Sequence, residues 1–228
     1  MPTKVAKPIT AWSFSRYRDW RKCPFFFKQK YMLGMQEPGS EAMDRGTAIH
    51  THAENFLRGK AKTLHPELAS FSEEFKDLKK RKALAEGEWA FDANWEPVSW
   101  FAKAAWVRIK IDTVAMNGDT VEVWDWKTGK FSQYKLPEYE DQTELYVVGA
   151  LLNFPRAASA SPILAFTDEG VQWPDPPKLV KPAALPKLKK KWEVLVKPMF
   201  ADKTHKPKPG NHCRWCHFRK ENGGPCPY

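Results

Sequence analysis

Two runs of sequence decide the fold: Trp106-Val-Arg-Ile-Lys-Ile-Asp-Thr-Val114 and Thr120-Val-Glu-Val-Trp-Asp-Trp-Lys127, with Asn117-Gly118 between them. Both runs are rich in β-branched and aromatic residues, and Asn-Gly is a strong hairpin signal because both residues tolerate positive φ. With Asn117-Gly118 as the two-residue turn, Asp112 is predicted opposite Val123 and Lys110 opposite Asp125. Side chains alternate along a strand, so Val121, Val123, Asp125 and Lys127 share one face, and Asp112 is expected on it too. The two carboxylates are then diagonal neighbours roughly 7–8 Å apart at Cα, within reach of one cation. A four-residue turn centred on the same pair keeps this parity; an odd one destroys it.

Two acids and a lysine converging at a strand end have a chemical use. Hard oxygen ligands suit Mg²⁺ or Mn²⁺. Such an ion activates a water and neutralises charge on a reacting phosphate, while an ammonium orients or deprotonates the nucleophile. Ordinary charge pairing on a surface strand is the other reading of the same pattern.

Outward from the hairpin, Ser13 is placed to N-cap a helix through Phe14, Tyr17 and Arg21, and Pro24 starts a new turn after Cys23. A second helix is predicted from about Glu41 to Leu57, burying Ile49, Ala53, Phe56 and Leu57. Phe71, Phe75 and Leu78 have the spacing of a third. Trp89, Phe91 and Ala93 alternate with Glu88, Ala90 and Asp92, as in a strand. A helix from about Glu138 to Leu152 and an apolar strand from Ile163 to Phe166 complete the pattern. Helices, a hairpin-bearing sheet, a helix and a further strand make an α/β sandwich, a single domain over 1–228. Residues 174–186 hold five of the 19 prolines and read as a connector.

The chain has 37 Lys and Arg against 27 Asp and Glu, a net charge of +10, which favours a polyanionic partner because each neutralised phosphate releases counterions. Lys187, Lys189, Lys190 and Lys191 fall in an acid-free run where a DNA backbone could lie. No apolar stretch approaches the roughly 20 residues that cross a bilayer, and no secretory signal is apparent, so a cytoplasmic location is expected.

The neighbouring motifs narrow the reading. Asp112 followed by Asp125-Trp126-Lys127 after a hairpin resembles the PD-(D/E)XK nuclease superfamily. Gly46-Thr-Ala-Ile-His50-Thr-His-Ala-Glu54 is similar to the GxxxHxxxE helix of its RecB-like branch, and Gln142-Thr-Glu-Leu-Tyr146 to that branch's QxxxY helix. Ser13 to Pro24 resembles its N-terminal signature. The resemblance implies a restriction-endonuclease-like core with a mixed sheet flanked by helices. It implies a metal-dependent DNA exonuclease acting on single strands or duplex ends. In that reading His50, Asp112, Asp125 and the Trp126 carbonyl hold the divalent ion. Lys127 positions or activates water, and Gln142 and Tyr146 contact DNA or support the centre. Small members of this kind occur in phages and CRISPR adaptation systems; a phage recombination or replication nuclease, with a protein partner from that machinery, is the expectation. A DNA-binding module that keeps the fold without catalysis is the rival, although Asp112, Asp125 and Lys127 are all intact. A glutamate is common where this chain has Asp125.

The cysteines are distributed one plus three: Cys23 near the start, then Cys213, Cys216 and Cys226. Four thiolates suit an iron–sulfur cluster or tetrahedral zinc, and His205, His212 and His217 keep mixed zinc ligation open. Four unliganded thiols, or a zinc-ribbon-like adaptor, are the alternatives. The resemblance implies a [4Fe–4S] cluster that joins residues 1–37 to 200–228, since no other feature of the sequence ties down the first 31 residues.

Overall fold

The computed structural model describes residues 5–228. Residues 1–4, the start of the expected cysteine subregion, lie outside the described residues. In chain order the elements are α1 (Phe14–Lys22), α2 (Pro24–Phe27), α3 (Glu41–Leu57), α4 (Ser72–Lys80), β1 (Leu84–Phe91) and β2 (Pro97–Val98). They continue with β3 (Val107–Asn117), β4 (Thr120–Lys127), α5 (Leu136–Asn153), β5 (Ser159–Phe166), β6 (Val171–Trp173) and α6 (Leu185–Ala201). The six strands form one sheet in the order β2-β1-β3-β4-β5-β6. β4 and β5 are parallel, joined through α5, and the other pairs are antiparallel. The result is the expected mixed sheet flanked by helices. No helix among the described residues is long and apolar enough to cross a membrane.

Local chemistry accounts for the helix starts. The Ser13 hydroxyl accepts the Arg16 N–H at 3.4 Å to cap α1. Ser40 does the same for Met43 at 3.3 Å, with Glu41 and Asp44 in the first turn of α3 complementing its dipole.

The hairpin forms, but in a different register. Asn117 pairs with Thr120, so the turn is Gly118-Asp119 and Val123 lies opposite Val114 rather than Asp112. Gly118 has φ +59° while Asp119 does not enter the left-handed region, the pattern of a turn that needs glycine only at its first central position. The Asn117 side chain instead bonds Glu122 at 2.8 Å, holding that residue in the strand. Lys110 lies opposite Glu88 on β1, not opposite Asp125.

The sheet separates two cores. On one side α3 and α4 bury Ile49, Ala53, Phe56, Phe75 and Leu78 against Ala115, Trp124 and Trp126. Trp126 stacks on Phe75 with ring centroids 4.3 Å apart. On the other side α1, α5 and α6 cover Val107, Ile109, Ile111, Val114, Val121 and Val123. Along β3, Val107, Ile109 and Ile111 thus face the same core as Val114, so the two-residue alternation slips at Asp112–Thr113. Strict alternation was the expectation, and this slip is where the site forms.

Helix α6 was not anticipated and begins inside the stretch read as a connector. Leu185, Leu188, Trp192, Val196 and Met199 face the core, with Trp192 stacked on Trp12 at 5.2 Å. The N-terminal segment is also anchored more widely than its cysteine suggested. The Trp12 backbone N–H donates to the Trp106 carbonyl at 2.8 Å, and the Trp20 indole N–H donates to Asp202 at 3.0 Å.

Candidate active site

The registered ladder between β3 and β4 ends at Thr113 opposite Trp124. One residue further on, the Asp112 carboxylate itself accepts the Trp126 N–H at 2.8 Å. Asp112 is thereby fixed beside Asp125 at the point where the two strands part. Helix α3, seated by Ile49 and Ala53, brings the His50 Nδ1 to 3.0 Å from Asp112. Lys127 closes the other side with its ammonium 2.5 Å from Asp125.

Helix α5 supplies the roof. Gly149 lets it approach the sheet, since a Cβ there would lie 2.7 Å from Trp89. Nearer its start, the Tyr146 hydroxyl donates to Asp125 at 3.1 Å, and Gln142 donates to the Tyr146 oxygen at 2.7 Å. Gln142 and Tyr146 therefore act as a relay that orients Asp125.

The electrostatics divide the two acids. Burial and the neighbouring Asp125 charge push the Asp112 carboxyl up, against the pull of His50. Burial pushes Asp125 up as well, but the Lys127 ammonium, the hydrogen bond shared with Asp112 and the nearby His50 together outweigh it and hold that carboxyl below its usual range. Burial, then the two carboxylates, push Tyr146 well above the ordinary tyrosine value, so it stays a donor. Burial opposes charge on His50, yet its contact with Asp112 raises it overall.

Ligand atoms of His50, Asp112 and a residue the sequence did not single out, Glu86 of β1, all lie within 4.8 Å of one another. An imidazole nitrogen with carboxylate oxygens is a donor set that fits a divalent cation of the Mg²⁺ or Mn²⁺ kind. The period-two alternation begins at Glu88, and the backbone at Glu86 departs from it with φ +57°, so Glu86 carries no periodic signal. Elsewhere on α3 the side chains are engaged in other contacts. Glu54 pairs with Arg58 at 3.0 Å, and His52 stacks on His65 at 4.0 Å.

A cleft of about 430 Å³ opens beside the centre, walled by Arg16, Arg18, Trp100, Arg108, Gln142 and Tyr146. Backbone carbonyls of Ala11 and Trp100 hold the Arg16 and Arg108 guanidinium groups at 2.7 and 2.8 Å. The lysine run lies elsewhere, on the first turns of α6. Lys191 is bound by Asp141, at 3.1 Å, and by Glu144; Lys190 is 3.5 Å from Glu193. Lys187 and Lys191 border a separate cavity of about 360 Å³.

The sequence matches the PD-(D/E)XK nuclease superfamily over residues 11–220. The chain belongs to that superfamily. Among solved structures it resembles a Eubacterium rectale protein provisionally assigned as an exonuclease, with TM-score 0.49 and 12% identity over 91% of this chain and 87% of that one. It also resembles SSO0001, with TM-score 0.38 and 12% identity over 93% and 85% of the two chains. No curated protein matches it. Asp112, Asp125 and Lys127, expected from the sequence as the two acids and the lysine, lie together where β3 and β4 part.

At the chain ends, Cys23, Cys213, Cys216 and Cys226 are free thiols that line one small pocket with Phe25, Phe26 and Pro207. Backbone N–H groups of Lys208 and Gly210 point at the Cys23 and Cys213 sulfurs at 3.5 and 3.4 Å. Phe26 against Phe218, with centroids 5.3 Å apart, joins the two ends directly.

Proposed function

We propose that the chain is a metal-dependent DNA exonuclease that hydrolyses phosphodiester bonds in single strands or at duplex ends. The observation that carries this reading is the meeting of Asp112, Asp125, Lys127 and His50 at the parting of β3 and β4. His50, Asp112, Asp125 and the Trp126 carbonyl would hold the cation. Bound Mg²⁺ or Mn²⁺ would supply charge neutralisation at the scissile phosphate and a water of lowered pKa.

The chain's own residues do the rest. Lys127, held by Asp125, presents a cation beside the attacking water and steadies the negative charge that develops on the phosphate oxygens. Tyr146, oriented by Gln142, keeps Asp125 in one rotamer and takes no proton from it. Arg16 and Arg108, fixed by backbone carbonyls, offer their remaining N–H groups to a phosphate backbone entering the cleft, and Trp100 offers a face on which a base can stack. Lys187, Lys189 and Lys190 form an outlying phosphate contact.

The cysteines are assigned a [4Fe–4S] cluster that joins the chain ends. The number of thiols and their shared pocket support it. No three of these sulfurs lie within 4.8 Å of one another, and tetrahedral zinc on the same thiolates is the alternative ligation. A place in DNA recombination, replication or repair, in the bacterial cytoplasm and with a phage as source, completes the proposal. The test is incubation of the purified chain with end-labelled linear DNA and with closed circular DNA, in Mn²⁺ and in EDTA. Degradation of the linear substrate alone, and only with Mn²⁺, is expected; nicking of circles at an equal rate would replace exonuclease with endonuclease.

A further inference from the structure

Glu86 occupies an unusual place for an acid. The β1–β3 pairing runs Ala85 with Thr113 and Gly87 with Ile111, and the step between them, where Glu86 faces Asp112, carries no pairing. Glu86 there adopts φ +57°, a left-handed conformation that glycine takes more readily than any residue with a Cβ. The glycine next to it meets a different need, because a Cβ at Gly87 would lie 2.7 Å from Ile111. The conformation carries the Glu86 carboxylate out of the strand pattern and into the group formed by His50 and Asp112. Its partner is Lys110, whose ammonium lies 2.7 Å from Oε2 and whose side chain is 59% exposed at the wall of the DNA cleft.

We propose that Glu86 is a further ligand of the divalent cation and that Lys110 is its exchangeable counter-ion. The inference rests on the nuclease reading of this site. A cation and the Lys110 ammonium compete for one carboxylate. When the cation enters, Lys110 is released towards the cleft beside Arg108, where it can meet a DNA phosphate. Metal loading and DNA binding are then coupled: each favours the state in which Lys110 has left Glu86, and linkage makes the effect reciprocal.

The experiment is a calorimetric titration of Mn²⁺ into the DNA-free protein, with thermal melting of the same samples. Glu86→Gln is expected to weaken Mn²⁺ binding at least tenfold, and Lys110→Met to tighten it several-fold because the competitor is gone. Glu86→Gly separates ligation from folding. Glycine relieves the left-handed backbone, so metal-free Tm should rise while Mn²⁺ affinity falls as in Glu86→Gln. Lys110→Met should also abolish the gain in DNA affinity that Ca²⁺ brings to the wild type. If Glu86→Gln and Glu86→Gly bind Mn²⁺ as tightly as wild type while Asp112→Asn does not, Glu86 is no ligand and the nuclease reading stands. If the wild type takes up no Mn²⁺, the reading of the site fails and this inference with it.

Discussion

The carboxylate of Asp112 accepts the backbone N–H of Trp126 across the gap where β3 and β4 cease to pair. A side chain thus replaces a ladder bond, and in doing so it locks one acid against the strand that carries the other acid and the lysine. The bond also ties the centre to the core beneath α3 and α4, because the Trp126 ring is fully buried against Phe75.

Asp112→Asn and Asp125→Asn should therefore separate folding from chemistry. An asparagine oxygen at position 112 can still accept the Trp126 N–H, so circular dichroism and melting should stay close to wild type. The lost negative charge removes a metal ligand, and cleavage in Mn²⁺ should fall by at least 10²-fold. Retained cleavage in either variant removes the metal-centre assignment.

Tyr146→Phe keeps the ring and deletes the donor to Asp125. A single hydrogen bond to a charged, buried group contributes about 1.5–3 kcal/mol, so the variant should remain folded with a lowered Tm. Because Asp125 loses its orientation, turnover should drop about tenfold at unchanged DNA affinity. Equal losses in rate and affinity would make Tyr146 a DNA contact instead.

The cysteine pocket makes its own demand. Cys23→Ser and Cys216→Ser should lose bound iron and acid-labile sulfide to the same extent, although 193 positions separate the two residues (216 minus 23). Iron retained by Cys23→Ser points to a site built from the C-terminal residues alone, and zinc in place of iron points to the other ligand chemistry.

Much of this was legible in the chain. Helix α3 matches its predicted span because Ser40, the first-turn acids and the Ile49, Ala53 and Phe56 stripe all agree. The shared placement of Asp112 and Asp125 was anticipated, but for an incomplete reason. The turn moved by one residue, from Asn117-Gly118 to Gly118-Asp119, which shifts the pairing by two and so keeps parity; the alternation then slips at Asp112, which no periodicity reveals. Glu86 was hidden for the same cause, since a left-handed residue in a strand leaves no period-two signature. Helix α6 carried a readable stripe at Leu185, Leu188, Trp192, Val196 and Met199. The four lysines of its first turns and the preceding prolines carry the opposing signal of a solvated connector.

Acid should loosen the joint between the chain ends. Asp202 accepts N–H groups from His205 and Thr204 at 2.9 Å and from the Trp20 indole at 3.0 Å. Burial pushes its carboxyl up, but these donors outweigh it and hold it at about 2 against an ordinary 3.8. Its folded value is the lower one, so its contribution is complete above about pH 4 and is lost as pH falls towards 2. The Tm gap between wild type and Asp202→Asn should narrow over that window. A gap that stays constant down to pH 2 excludes Asp202 as the titrating group.

Lys127 tests the centre most directly. It is one cation in a chain of net charge +10, so its removal should cost DNA binding little, whereas its place beside Asp125 is where the proposed mechanism puts the attacking water and the reacting phosphate. The measurement is the single-turnover cleavage rate of Lys127→Ala in Mn²⁺ beside its DNA dissociation constant in Ca²⁺. A rate lower by roughly 10²-fold or more, with the dissociation constant nearly unchanged, is the expected result. Cleavage at the wild-type rate, or a loss of affinity that matches the loss of rate, would contradict it and leave Lys127 a docking charge.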